Sequence, residues 1–148
     1  MTVTSTTRDA MTSFGLLILR LGIGALMATH GWGKVEMVLD GDLSQWQDPL
    51  GIGAWPSLVG AAFAEFVCSI LVMAGLVTRF AAVVVVFSMG VAVLVVHRND
   101  PLMMGSTPGS KEPALLYVIP FLALVFTGAG RYSLDALLFR RKVVAVKS

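Results

Sequence analysis

Four long apolar stretches, residues 14–33, 57–77, 80–97 and 113–130, alternate along the chain with polar, turn-rich segments. Each is long enough to cross a hydrocarbon core of about 30 Å, which takes roughly 17 to 25 helical residues. The third and fourth contain no Asp, Glu, Lys or Arg, whereas the first carries Arg20 and His30 and the second carries Glu65. Only Thr78 and Arg79 separate the second stretch from the third, so these two must form a tight antiparallel hairpin. The pattern predicts an all-α fold: an integral membrane four-helix bundle, antiparallel and up-and-down, formed as one unit by residues 13–138. Residues 1–12 read as a flexible Thr/Ser-rich N-terminus and residues 139–148 as a basic tail. A cleaved signal peptide is the alternative for the first stretch. Arg20 would interrupt its apolar region, and "ALMA" is no A-x-A cleavage site.

Composition agrees with the pattern: 56% of the 148 residues are hydrophobic, and the 14% that are charged fall well short of a soluble domain. The mean hydropathy is +0.82. The placement of charge says more than the net value of +2. With both termini and the 78–79 turn on one side, that side carries Arg8, Arg79, Arg131, Arg140, Arg141, Lys142 and Lys147. The opposite side has only Lys34, Arg98 and Lys111, together with Glu36, Asp40, Asp42, Asp48, Asp100 and Glu112. The positive-inside rule then places both termini in the cytoplasm, making a multi-pass protein of the cell membrane with segments 34–56 and 98–112 outside. Trp32, Trp46 and Trp55 all fall on that outer side, at head-group level. The tail "FRRKVVAVK" lies against anionic lipid, and its lack of interleaved aromatics excludes nucleic acid as a partner.

Arg20, Ile23, Met27, His30 and Lys34 fall within an arc of about 80° on one helix. A charge at mid-membrane needs a partner or a watery cavity. Glu65 is the only acid inside a span, and its depth differs from that of Arg20 by under about 10 Å, so the two are expected to form an intramembrane ion pair. His30, Lys34, His97 and Glu112 all map near the outer boundary. They are either separate interfacial anchors or the rim of an outer polar pocket; together, above Arg20 and Glu65, they favour the pocket. Without H-x-x-H or H-x-x-E spacing no metal site is expected, and Cys68, the lone cysteine, makes neither a CxxC pair nor an intramolecular disulfide. Gly24 with Ala28 and Gly60 with Ala64 form small-xxx-small pairs suited to close helix contact.

Several segments carry a family likeness: "RLGIGALMATHGWGK" in the first span, "AEFVCSILVMAGLVTRFAA" across the next two, "VVHR", and "KEPALLYVIPFLALVFTGAGRYSLDALL" at the end. In order and spacing they resemble the DoxX family over about residues 14–138. The resemblance implies a small four-helix protein of the cytoplasmic membrane, related to a subunit of a thiosulfate:quinone oxidoreductase. It marks Arg20, His30, Gly31, Lys34, Glu65, His97, Glu112, Gly128, Arg131, Ser133 and Asp135. The chain departs from more distant four-helix redox proteins of the vitamin K epoxide reductase type in having no cysteine pair.

The chain has no haem-ligating pair at bundle depth, no flavin or nucleotide fingerprint and no iron–sulfur spacing, so it does not move electrons unaided. Three readings follow. In the first, it is a subunit of a quinone-linked oxidoreductase, with a polar pocket near the quinone and a redox subunit or soluble oxidoreductase as partner. In the second it is a non-catalytic scaffold. In the third it is a small-solute or proton carrier, which a single unit without an inverted repeat disfavours unless it forms a homo-oligomer.

Overall fold

The computed structural model describes residues 5–103 and 109–138. All regular structure in them is helical: α1 (Ser5–Asp40), α2 (Ala54–Ala74), α3 (Thr78–Val96), α4 (Glu112–Thr127) and the short α5 (Leu134–Leu138). Three of these, α1 to α3, are long and apolar enough to cross a membrane; α4, at 16 residues, is shorter. At 1.5 Å per residue α1 extends about 54 Å, well beyond a core of about 30 Å, whereas α4 covers about 24 Å.

Neighbouring helices run antiparallel. Rising positions on α1 meet falling positions on α2: Arg20 reaches Val72 and Met73, Gly24 packs on Ser69 and Met73, and Gly31 packs on Glu65 and Phe66. Glu65 on α2 then meets Ser88 on α3, and Arg79 at the start of α3 meets the carbonyl of Phe126 near the end of α4. His30 and Tyr117, 5.9 Å apart between ring centroids, bring α4 back to α1. The shared core is made of Met27, Cys68, Val72, Val85, Phe121 and Leu124, among others. Outside it, Phe80, Phe87 and Phe126 are each more than 60% exposed, while Arg20 and Glu65 are buried. An apolar exterior around buried charge reverses the soluble pattern, and fits a multi-pass membrane protein.

The structure differs from the sequence expectation at several element boundaries and in one helix contact. With no proline between residues 5 and 40, α1 starts well before residue 14 and ends at Asp40, so residues 5–12 and 34–40 are helical rather than loose. The first connection therefore shrinks to residues 41–53. The α2–α3 turn is Gly75–Val77, and Thr78 and Arg79 already belong to α3. There the N–H of Leu76 donates to the Leu71 carbonyl (2.9 Å) and that of Gly75 to Val72 (3.0 Å), with Gly75 at φ 70°. This is a glycine-ended helix stop that a side chain at position 75 would strain. Finally, Gly24 does sit at a helix contact, but Gly60 has open space beside it, so its small size serves no packing. The basic tail lies outside the described residues.

Candidate functional site

The expected Arg20–Glu65 pair does not form. Arg20, fully buried, donates through Nη1 to the carbonyls of Val72 and Met73 (both 3.3 Å) and through Nη2 to that of Tyr132. The carboxylate acting on it electrostatically is that of Asp135. The reason is depth. Arg20 stands level with the Val72–Met73 end of α2, and Glu65 packs beside Gly31, eleven residues or about 16 Å further along α1.

Around Arg20 the C-terminal segment ties together the end of the bundle that carries the α2–α3 turn. Asp135 accepts the N–H groups of Val77 (2.7 Å) and Thr78 (3.0 Å), so it caps α3 from outside the helix, while its own N–H donates to the Gly75 carbonyl (2.8 Å). Val77, at φ 43°, is held in the left-handed region by this contact. Ser133 Oγ accepts the N–H of Ala136 at the start of α5 and donates to the Gly130 carbonyl. The Arg131 N–H reaches Ser13 on α1 (3.3 Å), and Gly128 packs against the Arg79 guanidinium. Gly128, Arg131, Ser133 and Asp135 therefore make contacts with backbone or with neighbouring elements, and belong to a structural knot.

The opposite half of the bundle is different. Lys34 Nζ lies 2.5 Å from Glu65 Oε2, and Ser88 donates to Glu65 Oε1 (3.2 Å). Above this pair opens a cavity of about 720 Å³, bordered by His30, Lys34, Glu65, Ser88, His97 and Tyr117 among mostly apolar walls. Two π turns shape it, Phe63–Val67 in α2 and Ala92–Val96 in α3. A π turn inserts one residue into a helix and re-aims the side chains around it, a device frequent at functional sites. The first carries Glu65, and the second ends at His97, whose Nδ1 lies 2.7 Å from Asp100 Oδ2. Trp46 and the 49–52 segment lie along the end of the cavity, in the 41–53 connection that also carries Asp42. The Asp42 carboxyl is held below its usual range by hydrogen bonds from the Ser44 hydroxyl and N–H. Trp46 Nε1 and Ser110 Oγ, both on residues bordering the cavity, have no partner among the described residues.

Of the four residues expected at an outer pocket, His30, Lys34 and His97 border the cavity; Glu112 does not. It stands in the first turn of α4, where an acid suits the helix dipole. Ser88 and Tyr117 were not singled out from sequence, and Trp46 only as an interfacial tryptophan. A hydroxyl inside an apolar span was the available signal for the first two. Among the described residues no group of three His, Cys, Asp or Glu is placed to hold a metal.

The DoxX family matches residues 15–98, more than half of the chain. The chain belongs to the DoxX family. The match runs from residue 15 to Arg98, so α2, α3, all of α1 beyond its first ten residues and the cavity's Lys34, Glu65 and His97 lie within it, and the knot's C-terminal residues lie beyond. A relative from Haemophilus influenzae, itself described only as an uncharacterized protein, is 32% identical over 127 residues, covering 85% of this chain and 92% of its own length. No solved structure gives a significant match.

Proposed function

We propose that this DoxX protein is a four-span subunit of a quinone-linked oxidoreductase in the cell membrane, with both termini cytoplasmic, and that its outer cavity holds the quinone head. The observation that carries this reading is the cavity itself. Its volume suits a small-molecule site, for which about 300–1,000 Å³ is usual, and its apolar walls lead to a few convergent polar groups. Lys34 and Tyr117 supply donors for ring oxygens, Glu65 and Ser88 complete the polar floor, and His30 and His97 add two imidazoles to its border. A quinone supplies two-electron redox chemistry when bound. The electrons come from a partner dehydrogenase, since this chain carries no redox centre of its own in its sequence motifs.

Purification in mild detergent followed by lipid extraction tests the proposal: bound quinone or a co-purifying dehydrogenase supports it, and stable protein with neither rejects it. His97→Ala and His30→Ala are expected to lower retained quinone several-fold with little change in yield, because both side chains stand at the cavity rather than in the knot. Greater damage to yield than to quinone content would return both residues to a packing role. For topology, Ser110→Cys in a Cys68→Ala background should react with an impermeant thiol reagent in intact cells, and Ser5→Cys should not. The seven basic residues of the termini and the α2–α3 turn, against three on the other side, are the ground for that orientation.

The scaffold reading draws on a separate observation. Arg20, Ser133 and Asp135 are all engaged by main-chain groups, so these polar residues serve the fold. That accounts for the knot and leaves the outer cavity unexplained.

A further inference from the structure

The floor of the cavity lies where Ser88 meets Glu65, and α2 and α3 pack together below that bond. Above it they part. The outer segment of α2, Ala54–Ala62, packs on α1 and makes no comparable contact with α3 among the described residues, while Ala92–Val96 leans on α4. Both separated segments border the cavity, through Gly60 and Ala61 on one side and Ala92 and Val96 on the other, and Phe63 and Phe87 border it at the lower edge of the gap between them. Phe63 and Phe87 are also 45% and 63% exposed on the outside of the bundle. Side chains that face a cavity and the exterior together mark an opening between them. Each stands nine residues from the outer end of its helix, about 14 Å down and near the middle of a core of about 30 Å. At that depth the exterior is lipid tail, whereas the loop carrying Trp46, Leu50 and Ile52 lies along the outer, water-facing end.

We infer that the cavity is loaded from the bilayer, through the gap between α2 and α3 flanked by Phe63 and Phe87. It holds an uncharged polar head whose hydrocarbon or isoprenoid tail runs out through that gap. The inference rests on the ligand-binding reading above and adds the class of ligand and its route. The depth of the gap selects a molecule dissolved in lipid, since a water-soluble one gains nothing from an exit into tails. The floor selects an uncharged head. Its two formal charges, Lys34 and Glu65, neutralise each other at 2.5 Å, so a phosphate head finds no free cation there unless it breaks a part-buried pair.

Photolabelling of the whole protein in phosphatidylcholine nanodiscs decides the matter. The probe is a decyl-substituted benzoquinone with a diazirine midway along its chain. Label is expected on peptides holding Phe63 or Phe87, and excess unlabelled decyl benzoquinone should remove it. In Gly60→Leu it should fall about fivefold, as expected when a side chain fills the cavity at a cost of about 1 kcal/mol in binding; nothing lies within 4 Å of the Cβ added there. Competable label on residues 46–52 or 109–113 instead would overturn the lateral route and leave the cavity reading standing. Label that neither competitor nor a folded Gly60→Leu protein reduces would place the probe outside the cavity, and both readings would fall. A phosphatidic acid bearing the same diazirine chain is expected to leave Phe63 and Phe87 unlabelled; equal labelling would overturn the uncharged head. The position of label on the wild-type protein decides the route even if Gly60→Leu does not fold.

Discussion

Arg20→Met should cost the protein more stability than any other single change in its polar interior. The guanidinium is fully buried and serves three carbonyls from two segments far apart in sequence, Val72 and Met73 on α2 and Tyr132 in the C-terminal segment. Methionine fills much of the volume but donates nothing. Each buried acceptor left unpaired costs about 1–3 kcal/mol, and Asp135 loses a nearby cation, so a loss of about 3–5 kcal/mol is expected. Arg20→Lys should recover only part of it, because a single ammonium does not reproduce the planar fork that reaches carbonyls on both sides. SDS-induced unfolding in mixed micelles measures both variants. The losses for Arg20→Met and Glu65→Gln should add, since the two residues belong to separate networks; strong coupling in the double variant would mean that they touch.

Gly31→Ala comes next in expected size. A Cβ at position 31 would lie 2.6 Å from the carbonyl carbon of Glu65 and 2.6 Å from the nitrogen of Phe66. These are backbone atoms, so no rotamer change relieves the clash, and α1 must move away from α2. Overpacking of this kind costs about 1–3 kcal/mol. It also lifts Lys34, one helical turn further on, away from Glu65, so retained quinone should fall as well as stability. Gly33→Ala is the control. Nothing lies within 4 Å of the Cβ added there, and alanine is the better helix former by up to about 1 kcal/mol. That variant should be neutral or slightly stabilised. Equal damage from both substitutions would show that helix flexibility, rather than the α1–α2 contact, sets the requirement for glycine.

How much of this was legible in the sequence depends on the range of the interaction. Apolar length and the scarcity of charge identify the helices, because the bilayer imposes one scale on every span. The gathering of His30, Lys34 and His97 follows from which helix ends share a side. The partner of Arg20 does not. Its level against α2 is set by the close contacts of Gly24 and Gly31, which bring Arg20 to Val72 and Met73 rather than to Glu65, an offset that apolar length does not encode. Nor does a hydropathy pattern reveal a π turn, which changes the direction of Glu65 by a single inserted residue inside an unbroken apolar segment. Asp135 was marked by family likeness alone. Its role as a cap for α3, 57 positions earlier in the chain, depends on where the C-terminal segment returns.

The central claim is that the Lys34–Glu65 pair belongs to ligand binding and the Arg20 knot to folding. The most direct test is the quinone retained per folded molecule in the double variant Lys34→Met/Glu65→Leu. Replacing both members together leaves no unpaired charge, so the protein should unfold near the wild-type point, as buried pairs exchanged for apolar groups commonly do. It should nevertheless lose most of its bound quinone. A double variant that keeps wild-type quinone content would contradict the claim.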